Sequence, residues 1–207
     1  VPLSDIAQHE AATLIAADKN LLKPQNGEPI VSSKMLDIIL GSYWMTSIVE
    51  GDKGEGKYFA SPNEAITAAD FEMVSYRAKI HVLGTEKVKY AAYAGQAFET
   101  TVGRLLFNAT LPAEFPYVNE ELTSKKIIAL VDTLISQFGI ELIAPVLDRI
   151  KDFGYKYATI SGTTWAIDNV LVPKEKPEII AKYRKLAEEV LSQFEEGLLS
   201  EEERYQK

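Results

Sequence analysis

Arg77-Ala78-Lys79-Ile80-His81-Val82 changes the period of this sequence. Polar and apolar residues alternate there, the pattern of a strand with one face buried. Residues 87–93 can pair back on it across Gly84, and residues 100–107 offer a third apolar stretch. The economical prediction is a small antiparallel sheet within about residues 74–107.

Outward from that sheet the pattern turns helical. Upstream, Ser61-Pro62-Asn63-Glu64 is a capping box with proline at the first helical position, which predicts a short helix from 62 to about 69. Further back, Ile38, Ile39, Tyr43 and Met45 lie on a predicted amphipathic helix over 34–48, with Met35 near its start. An opening helix has Ser4 as its cap and alanines at 7, 11, 12, 16 and 17. It stops at the turn-forming run Pro24-Gln25-Asn26-Gly27-Glu28-Pro29.

Downstream, residues 123–138 and 140–152 predict an antiparallel helix pair joined near Gly139. Leu142, Ile143, Val146, Leu147 and Ile150 should form the buried side of its second member. Residues 154–173 read as a long connector, and connectors of that length inside a compact domain are commonly functional. After Pro173, apolar residues at 179, 180, 183, 186, 187, 190, 191 and 194 trace one helical face. Gly197 ends that helix, and Ser200 with Glu203 caps the next. The fold class is therefore α+β, mostly helical, with a small antiparallel sheet and long closing helices.

Composition narrows the chemistry. At 207 residues and 46% hydrophobic the chain can bury a core, so disorder is excluded as its main description. The absence of cysteine removes disulfide frameworks, thiolate metal sites and a thiol nucleophile, and fits a cytoplasmic protein. His9 and His81 are too far apart in sequence to suggest a metal pair; both read as surface or packing residues. A net charge of −8 argues against unaided binding to duplex DNA, whose affinity rests on phosphate neutralisation. No run approaches the roughly 18 apolar residues of a membrane span.

Two local patterns invite a functional reading. Residues 51–57, GDKGEGK, have the spacing of a phosphate-binding P-loop, but Tyr58 stands where a magnesium-binding Ser or Thr would follow. Asp52 and Glu55 would also repel a phosphate, so a solvated loop is favoured. The Arg77, Lys79, His81 face could attract an anion, yet exposed strand faces are commonly charged. The adjacent acids at 120–121, 188–189 and 195–196 read as solvated helix faces. These residues alone define a soluble α+β protein without an evident active site.

Longer stretches carry a resemblance. TLIAADKNLLKPQNGEPIV (13–31), DKGEG (52–56), TTVGRLLFN (100–108), GYKYATISGTTWAIDNVLVPKEKPEII (154–180) and LLSEEERYQK (198–207) occur in the order of similar motifs in the largest, beta prime, subunit of bacterial DNA-directed RNA polymerase. The resemblance covers essentially the whole chain. It implies a start just after the family's N-A-D-F-D-G-D loop, whose aspartates hold the catalytic magnesium, and an end before its bridge helix. Residues 1–152 would then be the pore, or secondary-channel, domain. Residues 153–207 would be an F-loop-like connector and the start of the funnel helices.

The same resemblance implies a role in shaping the passage for NTP entry and RNA extrusion during transcription. The implied partners are the rest of the beta prime subunit, the beta subunit, the NTP and RNA 3′ end, and Gre-type cleavage factors. No membrane is implied. Magnesium belongs to the parent enzyme, and no catalytic, cofactor or metal residue is expected in this chain, which should be inert alone. The candidate pore or active-site-support residues are Asn26, Glu28, Arg104, Tyr157, Ser161, Trp165 and Asp168.

Arg104 could fork to a carboxylate or phosphate, or brace the pore wall through a salt bridge. Tyr157 is expected to pack locally, and Trp165 to be more exposed or more mobile than an intact enzyme would leave it. Departures from the family pattern fall at residues 32–37, at Lys19, at Ile160 in place of a common arginine, at Trp165-Ala166 and at Asn169. The alternatives are a scaffold or interaction module that reuses the segment, and an unrelated α+β binding protein.

Overall fold

A computed structural model describes residues 2–27 and 36–206. The chain divides into two compact units, residues up to Thr163 and residues from Thr164 on.

The first unit is built on two apolar clusters that share one helix. Helix α1 (Asp5–Glu10) begins as expected, with the Ser4 hydroxyl accepting from the Ala7 amide at 3.2 Å. It then widens into a π-helical turn over Ala11–Ile15, and it buries no residue. Leu21 beyond it is buried in the first cluster. Helix α2 (Leu36–Thr46) lies inside the predicted range; residues 28–35, with Met35 and most of the 32–37 departure, fall outside the described residues.

Strand β1 (Tyr58–Phe59) leads to helix α3 (Pro62–Asp70), whose first turn is capped by Ser61 accepting from the Glu64 amide at 3.2 Å. Strand β2 (Ile80–Leu83) keeps the alternation read from the sequence: Ile80 and Val82 are fully buried while His81 is half-buried. Its antiparallel partner is β3 (Ala97–Thr100), with Ile80 opposite Thr100 and Val82 opposite Phe98. On the other side β1 pairs in parallel, so the three-stranded sheet is mixed rather than purely antiparallel.

The pairing assigned to residues 87–93 needs correction, because Val88–Tyr93 forms two successive 3₁₀ turns with a kink at Tyr90. Residues three apart share one face of such a turn and oppose each other in a strand. Tyr90, at the kink, and Tyr93 both meet Phe98, at ring separations of 6.1 and 4.2 Å. The apolar stretch 100–107 is likewise no strand. Thr101 caps helix α4 (Val102–Thr110) by accepting from the Arg104 amide at 3.2 Å.

Helix α4 joins the clusters. Val102 and Leu105 belong with Ala65, Ile80, Val82 and Phe98 on the sheet side. Phe107 belongs with Met45 of α2 and with the two helices that follow, α5 (Ser124–Phe138) and α6 (Ile140–Ser161). On α6, Ile143, Val146, Leu147 and Ile150 are buried as expected, whereas Leu142 is exposed.

Helix α6 continues to Ser161, so the connector begins near Gly162 and not at Gly154. Gly154, which opens the connector predicted from the sequence, is instead a point of close approach inside α6. A Cβ on it would lie 2.6 Å from Ile38 Cα, and a Cβ on Gly41 would lie 1.9 Å from the Gly154 carbonyl oxygen. Helices α2 and α6 therefore cross backbone to backbone.

The second unit contains a 3₁₀ turn at Ile167–Asn169, helix α7 (Lys176–Glu195) and helix α8 (Glu201–Gln206). Ser200 and Glu203 cap α8 reciprocally, at 2.8 and 3.2 Å. Ile179, Ile180 and Tyr183, which lie on the apolar face traced in the sequence, are exposed along α7. Among the described residues no helix is long and apolar enough to cross a membrane.

Candidate functional site

Arg104 organises the most connected polar group of the first unit. Thr101 fixes the start of α4, which aims the Arg104 side chain at the C-terminal end of α2. Gly103 lets that approach happen: its amide donates to the Tyr76 carbonyl at 2.8 Å, and a Cβ there would lie 1.9 Å from the Met45 carbonyl oxygen. The Arg104 Nε then donates to the Thr46 carbonyl at 2.9 Å. Its Nη1 donates to both the carbonyl and Oδ1 of Asn119, each at 3.1 Å. The Nε and Nη1 donors of the planar fork are thus taken by amide oxygens. Among the described residues Arg104 makes no ion pair.

One turn on, Asn108 completes the group. Its Nδ2 donates to the Arg104 and Val118 carbonyls at 2.9 and 2.8 Å, and its Oδ1 accepts from the Val118 amide at 2.8 Å. The Thr46 hydroxyl donates to the Ser42 carbonyl at 2.7 Å and accepts from the Leu122 amide at 2.9 Å. Burial pushes the Arg104 pKa down, opposed by Tyr117, Glu121, Glu120 and Glu99. Buried Tyr117 shares a 2.7 Å hydrogen bond with the Thr100 hydroxyl, and its own pKa is raised, chiefly by burial.

The remaining candidates are spread out. Asn26 is exposed in the turn before Gly27, and Glu28 lies outside the described residues. Tyr157 is buried on α6, edge-on to Tyr76 at 5.8 Å and tilted on Phe153 at 4.7 Å. Burial also raises its pKa, with Asp70 adding to the effect. Ser161 ends α6, donating to the Ala158 carbonyl at 2.7 Å and accepting from the Thr163 amide at 3.1 Å. In the second unit Trp165 is 78% exposed, and Asp168 is exposed in the 3₁₀ turn. Tyr157 and Ser161 share one helix a turn apart; Arg104 belongs to its own network. The sequence reading misses Asn108, Thr46 and Asn119; for Asn108 and Thr46 the available signal is a polar residue set within an apolar helical run, whereas Asn119 lies in the irregular segment before α5 and carries no such signal.

The other sequence patterns are absorbed by local structure. In the 51–57 loop the Gly51 amide donates to Glu55 Oε2 at 2.6 Å, the Lys53 amide to Asp52 Oδ1 at 2.8 Å and the Gly56 amide to the Lys79 carbonyl at 2.8 Å. Those donors are spent within the protein, so they form no phosphate cradle. The predicted strand starts only at Ile80: Arg77, in the turn before it, lies 4.7 Å over the Trp44 ring, Lys79, just before it, pairs with Glu99 at 2.9 Å, and His81 on β2 stacks on Tyr58 at 4.4 Å. Among the described residues no three histidine, aspartate or glutamate side chains gather as a metal site.

Residues 20–170 match the family model described as RNA polymerase Rpb1, domain 3. Over its full length the chain is 41% identical to the DNA-directed RNA polymerase subunit beta′ of a Nocardioides species and to that of Heliobacterium modesticaldum. To the corresponding subunit of Moorella thermoacetica the identity is 40%. The chain spans 16–18% of the length of these relatives.

Proposed function

The chain belongs to the RNA polymerase Rpb1 domain 3 family, and from that premise we propose that it forms a wall of the secondary channel in a bacterial beta′ subunit. Nucleoside triphosphates would enter by that channel and backtracked RNA would leave by it. The observation that carries this reading is the 36–41% identity to beta′ subunits over the whole chain. The activity served is DNA-templated RNA synthesis by nucleotidyl transfer, in a cytoplasmic enzyme with the beta subunit as neighbour.

The chain's own contribution is positional. Two-metal phosphoryl transfer requires converging carboxylates. The described residues bring no such group together, so no step through magnesium is assigned to them. The Arg104 network and the α2–α6 crossing keep the wall rigid, and the exposed residues after Ser161 offer the surface that a moving neighbour would touch.

RNA crosslinking in a reassembled polymerase tests the reading. A photoreactive residue placed at Ser161 or Trp165 of the subunit should crosslink the extruded RNA 3′ end in backtracked complexes, and not in complexes held at the growing end. Crosslinks to duplex DNA alone, or none from either position, would overturn it.

A further inference from the structure

A cavity of about 500 Å³ opens in the first unit where the start of α3, residues 86–90 and α4 converge. Ile66, Val88, Leu105 and Ala109 supply apolar walls. A concave, largely apolar space of this size with a few placed polar groups is the usual form of a small-molecule site.

Its distinctive polar group is Lys89. This half-buried ammonium donates to the Asn108 carbonyl and, at 3.1 Å, to the Leu111 carbonyl, both at the C-terminal end of α4. An ammonium carries three donors, so two such bonds leave one. Among the described residues no carboxylate forms an ion pair with Lys89. A second cation serves the same helix end, since Arg149 Nε donates to the Thr110 carbonyl at 2.9 Å. Burial pushes the Lys89 pKa down, with Glu114 opposing and Arg149 adding to the effect. The helix terminus is already satisfied by two cations, and one of them, Lys89, also lines the cavity.

We propose that this cavity binds a small amphipathic monoanion: a flat apolar body between Ile66, Val88 and Leu105, with a carboxylate on the third proton of Lys89. Glu86 and Glu114, also among the lining residues, disfavour multiply charged anions such as nucleoside triphosphates more strongly than a monoanion. The proposal does not rest on the polymerase reading.

The test is a methyl NMR titration of the full 207-residue chain with 2-naphthoate and with neutral 2-naphthamide. Saturable shifts should be confined to the methyl groups of Ile66, Val88, Leu105 and Ala109, with the carboxylate binding about tenfold tighter than the amide, as one charge-assisted hydrogen bond provides. Lys89→Met should abolish that preference while leaving amide binding in place. Should Lys89→Met not fold, Ala109→Trp, which fills the cavity from an exposed position, should abolish binding of both probes. Shifts scattered over the chain, failure to saturate, equal affinity for the two probes, or binding that survives Ala109→Trp would each overturn the proposal.

Discussion

Arg104 illustrates how one buried side chain holds several chain segments at once. Its three acceptor oxygens belong to Thr46 and Asn119, on segments far apart in sequence. A lysine at that position has one nitrogen and cannot reach all three, leaving buried carbonyls without donors. Arg104→Lys should lower the unfolding free energy by about 1–3 kcal/mol, read from urea denaturation. Tyr117 gives a second residue-scale prediction. Its folded pKa is raised above the ordinary value of 10.0, so folding favours the neutral phenol. That stabilisation is complete below pH 10 and is lost as pH rises through the folded value, because the unfolded chain deprotonates first. Stability should decline above about pH 10, by up to about 1.4 kcal/mol per pH unit for one such group. Tyr117→Phe should make that decline shallower while costing some stability at neutral pH through the lost Thr100 hydrogen bond.

At the scale of elements, the sequence made the helices and the central strand legible through periodicity and capping, and the exceptions share a cause. Thr100, Thr101 and Val102 favour strand by propensity, yet Thr101 acts as a helix cap and α4 is buried on two sides, a pattern that alternation cannot distinguish. Val88–Tyr93 folds into two short 3₁₀ turns kinked at Tyr90, and both Tyr90 and Tyr93 meet Phe98, a contact invisible locally. Gly154 is the clearest case. Propensity makes it a helix breaker worth about 1 kcal/mol against alanine. Packing reverses that sign, since a Cβ there would lie 2.6 Å from Ile38 Cα. Gly154→Ala should therefore destabilise by about 1–3 kcal/mol despite its better helix propensity. A urea midpoint equal to or above that of the parent would refute the crossing as drawn. For the candidate residues the resemblance supplied positions but not environments: it named Arg104 without Asn108 and Asn119, because hydrogen-bond partners depend on which segments meet.

For the whole molecule, charge decides what it can bind unaided. The chain carries 30 acidic and 22 basic residues, and its Arg77 and Lys79 are already engaged by Trp44 and Glu99. Purified alone it should not shift a duplex DNA probe at about 0.15 M salt, where nonspecific affinity depends on free cations; retention of the probe at that salt would contradict this. The α2–α6 crossing has a consequence for how the sequence can change. Gly41 and Gly154 meet at one backbone contact, so an added methyl group at either position must push the same two helices apart. Once that separation has occurred, the second methyl group finds room already made. Gly41→Ala and Gly154→Ala together should cost less than the sum of the two single changes, a non-additivity of about 0.5–3 kcal/mol measurable in a double-mutant cycle. The two positions thus behave as a single evolutionary character: the first departure from glycine bears nearly the whole penalty, and a lineage that survives it is afterwards freer to vary at the other.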